Sequence, residues 1–159
     1  MIPAIDIAIG LLFLLTLGTG YGEGLVKGLS AFISTVLGFF FASKTYSILA
    51  GVLAFLPGDQ WEKFIGFFAM AFLFNVLIGL FLIPARAWYE NKLERSFATK
   101  IVGSIIGVIN LSLGLTVLAF AVRAYPVSRL LERMISESSA FTQLVDNFAF
   151  FKVLITGFI

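Results

Sequence analysis

Residues 64–85 read FIGFFAMAFLFNVLIGLFLIPA, an uncharged run whose one strongly polar side chain is Asn75. As a helix rising 1.5 Å per residue, this stretch measures about 33 Å, enough to cross a hydrocarbon core of roughly 30 Å. It leads directly to Arg86, Trp88 and Tyr89, a cation and two interface-seeking rings. Such a run reads as a transmembrane helix. Residues 101–122, IVGSIIGVINLSLGLTVLAFAV, repeat the pattern between Lys100 and Arg123, with Asn110 as the corresponding polar residue.

Working outward, residues 2–20 form a shorter apolar run of roughly 28 Å. A cleavable signal would begin with a basic segment, whereas the first basic residue here is Lys27, so the run is expected to be retained. Residues 25–43 are apolar except for Lys27, whose aliphatic stem can snorkel to the headgroups. Between these two runs, Gly18, Gly20, Gly22 and Gly24 predict a tight turn between antiparallel helices. Residues 45–56 are apolar but too short to span, and either prolong the second helix or lie at the interface. They end at a turn over Pro57, Gly58 and Asp59. Both Trp and all four Tyr fall at or near span ends, as headgroup-level rings do.

The predicted fold is therefore all-α and polytopic. A domain over 1–123 carries four transmembrane helices, at 2–20, 25–43, 64–85 and 101–122, followed by a C-terminal tail over 124–159. In the tail, Val127, Leu130, Leu131, Met134 and Ile135 keep a helical spacing opposite Ser128, Arg129, Glu132 and Arg133. A second amphipathic segment follows Ser136–Ser139, with Phe141, Leu144, Val145, Phe148 and Ile155 on one side. The tail is expected to lie on the membrane surface or to cover the end of the bundle.

Composition agrees and narrows the function. Of 159 residues 60% are apolar and 13% charged, where an ordinary soluble domain has about 25% charged. With no Cys and no His, the chain lacks thiolate chemistry, the commonest metal ligand and the commonest general base. No Walker loop or HExxH helix is present, so no catalytic, cofactor or metal residue is assigned and no cofactor is expected. A membrane enzyme would have only Glu23, Glu90 and Glu94 at its span ends. The net charge of +2 is scattered, which gives nucleic-acid binding no support.

The candidate intramembrane polar residues are Asp6, Asn75 and Asn110, because polar groups inside a bilayer are costly and often functional. Asp6 reads either as a polar site, including an interhelical hydrogen bond, or as an interfacial acid. Asn75 and Asn110, at similar depth, read as amides able to bond across helices or to line a watery path. Gly20, Gly24 and Gly28 recur every four residues, as do Gly103 and Gly107. This spacing lets backbones approach closely, with part of the first set serving the turn. Lys and Arg divide evenly between the two faces. Placing the dense 86–100 loop in the cytoplasm puts both termini outside.

These pieces resemble a known family. Asp6, the run Gly20-Tyr21-Gly22-Glu23-Gly24-Leu25-Val26-Lys27-Gly28-Leu29, Gly38 with Ala42, Lys100-Ile101-Val102-Gly103 with Gly107, and Ser138-Ser139 are similar to the colicin V production (CvpA) family over about residues 6–145. Gly22-Glu23, Gly28, Thr99 and Leu111 depart from that family's usual residues. The resemblance implies a four-span bacterial inner-membrane protein linked to colicin V production or export and to envelope stress tolerance. The function expected is non-enzymatic support of toxin export or envelope homeostasis, through helix packing with the lipid bilayer, an export or envelope partner, or copies of itself. The alternative is a small oligomeric channel or transporter with Asp6, Asn75 and Asn110 on its path.

Overall fold

A computed structural model describes residues 4–53, 59–90 and 96–158. Among these, α1 (Ala4–Val52), α2 (Asp59–Phe81), α3 (Ile83–Glu90), α4 (Phe97–Ala124), α5 (Arg129–Glu137) and α6 (Ser139–Asn147) precede a closing 3-10 segment, Ala149–Ile155. The described residues contain no strand. Three helices, α1, α2 and α4, are long and apolar enough to cross a membrane.

α1 is one helix only by hydrogen bonding. At Gly24 the backbone takes φ 75° and ψ −177°, a conformation open essentially to glycine alone, and the chain reverses there. In the first arm, residues 4–23, Gly20 lies against Gly103, Thr16 against Gly107, and Ile9 against Ala119 and Val122, so this arm is antiparallel to α4. In the second arm, residues 25–52, Gly28 meets Gly103 while Ala42 packs with Val117 and Ala121, so this arm runs parallel to α4. The glycine-rich turn expected over 18–24 thus contracts to one residue. A single positive φ suffices, and the other glycines stay helical.

Other boundaries shift for local reasons. Helix continues through Val52, so residues 45–52 prolong the second arm. The rest of that stretch, with Pro57 and Gly58 of the expected turn, lies outside the described residues, and Asp59 opens α2. Pro84 has no N–H to give the preceding turn, and the apolar run breaks at Leu82 before resuming as α3. α4 starts at Phe97, before the expected 101, because the Ser96 hydroxyl accepts from Thr99 N at 3.3 Å and caps the helix.

Small residues face inward and large ones outward, the inverse of a soluble core. On the second arm Ser30, Ser34, Gly38, Ala42 and Ala50 are buried at four-residue steps or their multiple. A Cβ on Gly38 would stand 3.1 Å from Ala71 O, and one on Gly66 3.1 Å from Ala50 N, so α1 and α2 touch backbone to backbone. Leu14, Leu15, Phe72 and Phe81 are exposed to the surroundings, Phe81 by 85%. Several hydroxyls inside the bundle are satisfied within their own helices: Ser34 donates to Ser30 O at 2.9 Å and Thr116 to Ser112 O at 2.7 Å.

The tail packs on the bundle along its length: Ile135 of α5 and Phe141 and Val145 of α6 are buried with Ile9, Ala119 and Val122, and the closing segment inserts deeper. Ile155 is fully buried, and Phe158 stacks on Phe67 with ring centroids 4.0 Å apart and meets Tyr46 edge-on at 5.0 Å. The Tyr125 hydroxyl donates to Phe158 O at 2.8 Å, while Lys63 Nζ lies 5.7 Å above the Tyr125 ring. Burial, and then the neighbouring Tyr46 phenol, push the Tyr125 phenol above its ordinary pKa and keep it a donor.

Gly24 should therefore be the conformational hinge of the fold. Gly24→Ala, with nothing near its new Cβ but a forbidden backbone, is expected to lower stability in detergent by about 1–3 kcal/mol. Gly22→Ala, helical and equally open, is expected to be neutral or slightly stabilising in the same thermal unfolding series.

Candidate functional site

The two arms of α1 and α4 converge on Gly103. A Cβ there would stand 2.6 Å from Gly24 C and 2.7 Å from Gly20 O, and one on Gly20 would stand 2.8 Å from Ser104 Cα. No side chain fits at either position without moving backbone. Ser104 secures the crossing by donating to Leu17 O at 3.0 Å. Gly28 is looser: its Cβ would find Gly103 O at 3.4 Å, ordinary contact distance. Away from this crossing the helices diverge and leave a cleft of about 420 Å³.

Polar groups line the cleft: Thr16, Thr19, Glu23 and Asn110, over a floor that includes Gly103 and Gly107. Thr16 spends its hydroxyl proton on Leu12 O at 2.8 Å. Asn110, midway along α4, has a buried side-chain oxygen that accepts no hydrogen bond. An unanswered buried acceptor costs about 1–3 kcal/mol, so its position calls for a donor.

Asp6 occupies a second polar site at the opposite end of the bundle. It stands in the first turn of α1, and its carboxylate accepts from both Ser138, the N-cap of α6, and Ser139, the latter at 2.8 Å. Ser138 is buried and also accepts from Phe141 N at 3.1 Å. The backbone N–H groups of Ala140 and Ser139 face the same carboxylate. One acid thus answers the starts of two helices, where the helix dipoles favour negative charge. It is the interhelical hydrogen bond that was one of the two readings of Asp6.

Asn75 does not meet Asn110. Its Nδ2 donates to Thr35 Oγ1 at 3.0 Å, joining α2 to the second arm beside a separate pocket that includes Phe39, Phe68 and Phe72. The cross-helix amide pair is therefore absent: the two residues share depth but face different neighbours of the second arm. Asp6, Asn75 and Asn110 occupy three separate places in the chain's own fold. The glycines do come together: Gly20 and Gly28 face Gly103, which meets the backbone of Gly24, and Gly107 lies against Thr16 and Gly20. Glu23 is exposed at the cleft, Glu90 ends α3, and Glu94 lies outside the described residues. Among the described residues, no group of three or more Asp or Glu is placed to hold a metal ion.

Several participants carry no signal in the sequence. Thr16 and Thr19 look like ordinary residues of an apolar span, and Ser104 becomes a cross-helix donor only because Gly103 brings Leu17 close. A serine beside a paired glycine is the one hint that could have been followed. Compared with known proteins, residues 5–149 match the model of the family described as Colicin V production protein. No curated protein and no solved structure matches the chain.

The two sites yield separate expectations. Gly103→Ala should destabilise the fold by about 3 kcal/mol, read from thermal unfolding in detergent, whereas Gly28→Ala should cost under about 1 kcal/mol. Asp6→Ala should leave α5 and α6 undocked, so that trypsin cuts after Arg129 and Arg133 about tenfold faster than in the native chain. Asp146→Ala, on the exposed side of α6, should leave the cutting rate unchanged.

Proposed function

This chain belongs to the colicin V production protein family, and on that premise we propose that it is a non-enzymatic, multi-pass inner-membrane protein supporting toxin export or envelope homeostasis through a protein partner. The observation that carries the proposal is the glycine-floored cleft with the unanswered oxygen of Asn110. Glycine removes the side chains that keep helices apart, and an amide oxygen in a membrane rewards a donor from a neighbouring helix. A partner's transmembrane helix bearing small residues suits the glycine floor, and one hydroxyl or amide on it answers the Asn110 oxygen when that side chain turns from its buried position into the cleft.

Counting the arms of α1 separately gives four spans, since the chain reverses at Gly24. The N-terminal end of α1 and the tail then share one face, joined by Asp6 and Ser138, and we assign that face to the outside. The other face carries Lys27, Arg86 and Lys100 and is assigned to the cytoplasm. The amphipathic α5 is placed at the membrane surface.

Asn110 also favours one second reading, a small oligomeric channel or transporter. Its path would be built from Thr16, Thr19, Glu23 and Asn110, with Asp6 and Asn75 serving structure.

Gentle extraction of the tagged protein, followed by mass and identification of copurifying chains, separates the two. A stoichiometric partner is expected, lost in Gly114→Leu, which fills the cleft from a position with open space, together with toxin secretion by colicin-producing cells. A homo-oligomer without partner, conducting ions in liposomes until Asn110→Leu abolishes the flux, would overturn the accessory role in favour of the channel.

A further inference from the structure

Arg86 is a charge that the packing leaves unanswered. It projects from α3 back along α2, and its Nη2 lies 3.9 Å from the place a Cβ on Gly79 would take, on the side that also faces Ser34. The separation from residue 79 to residue 86 corresponds to about 10 Å of helix rise, so the side chain is directed from the level of Trp88 and Tyr89 toward the hydrocarbon. Its Nε is buried and donates to nothing. The one ion pair among the described residues is Arg133 with Glu137, on the tail, so none of their carboxylates lies within ion-pair distance of Arg86. A guanidinium stays charged in such a setting and is costly there without an anionic partner.

Beside it runs a largely apolar groove of about 390 Å³, lined by Leu25, Leu29, Ile33 and Leu82, with Ser30, Arg86 and Tyr89 as its polar members. The lining offers a partner helix neither a glycine floor nor an amide, only aliphatic walls that end at a cation. A single hydrocarbon chain is a better match. The occupant must then be apolar along its length and anionic where it meets the guanidinium. Lys27 and Lys100 stand at the same end of the bundle and are offset there by Glu23 and Glu90, so Arg86, the one charged residue in the lining, supplies the local attraction for negative charge.

We propose that this groove binds an anionic phospholipid, with one acyl chain against Leu25, Leu29, Ile33 and Leu82 and the phosphate held by Arg86. The planar fork of the guanidinium can give a phosphate two parallel hydrogen bonds. Zwitterionic lipids carry an ammonium that offsets this attraction. The site thus selects by headgroup charge, while the groove requires a chain.

The test is native mass spectrometry of the full chain released from detergent, titrated with phosphatidylglycerol, with phosphatidylcholine of the same acyl chains, and with inorganic phosphate. Retention of phosphatidylglycerol is expected to exceed that of phosphatidylcholine about tenfold, with phosphate alone not retained. Arg86→Gln should erase the preference, and Arg86→Lys, which keeps charge but loses the fork, should reduce it about threefold. Ala85→Phe, filling the groove beside an intact Arg86, should weaken both lipids alike; circular dichroism identifies any variant that fails to fold, and the remaining variants then carry the test. Equal retention of the two lipids by the native chain, a preference that survives in folded Arg86→Gln, or one that stays at full size in folded Arg86→Lys, overturns the proposal. Stoichiometric capture of phosphate alone overturns the acyl-chain part and leaves a free-anion site.

Discussion

The fold depends on a backbone crossing at Gly103. In that place α4 presses against the peptide groups of Gly20 and Gly24, at distances where any Cβ would collide. Lipid tails are as apolar as leucine, so burial of hydrocarbon supplies little drive between membrane helices; close van der Waals contact and hydrogen bonds must supply it. A glycine contact provides the first and Ser104 to Leu17 O the second. Because both arms of α1 are tied at this crossing, their divergence beyond it creates the cleft around Asn110. The same residue thus sets the tightest contact and the neighbouring open space.

The second arm of α1 carries the rest of the assembly. One side of it meets α4 through Gly28 and Ala42, and another meets α2 through Gly38 and Ala50. Ser34 and Ser43 bond to their own helix and so can be buried without cross-helix partners. Asn75 to Thr35 is an exception, a polar tie placed where α2 and the arm are already close. Phe72, Phe81, Leu14 and Leu15 are left to face the lipid.

Much of this architecture is legible in the residues themselves. Runs such as 64–85 and 101–122 are recognisable because charge is absent over the thickness of a bilayer, a property that needs no partner to define it. The glycine spacing at 20, 24 and 28 and at 103 and 107 likewise marks faces capable of close approach. Rotation about the helix axes is another matter. Asn75 and Asn110 have equal depth, yet their directions depend on how α2 and α4 are turned against α1. Asp6 and Ser138 meet across 132 positions of chain, a pairing that local pattern does not encode. The same holds for Arg86, whose place after a span reads as interfacial although its side chain points inward. In the tail, the spacing of Phe141, Leu144 and Val145 suits a lipid surface and a protein surface equally, and nothing in it singles out Phe158 as a core residue.

The placement of Phe158 bears on the order in which the protein can be made. A ribosome delivers the arms of α1, then α2 and α4, while the pocket between Phe67, Tyr46 and Tyr125 still lacks the ring that fills it. Residues 126–157 must be synthesised before that ring arrives. During this interval the nascent bundle exposes an aromatic socket at the face where its tail will dock. Completion of the interior is therefore a late event, separated in time from insertion into the bilayer, and a translation pause after Tyr125 would leave an inserted but unfinished protein.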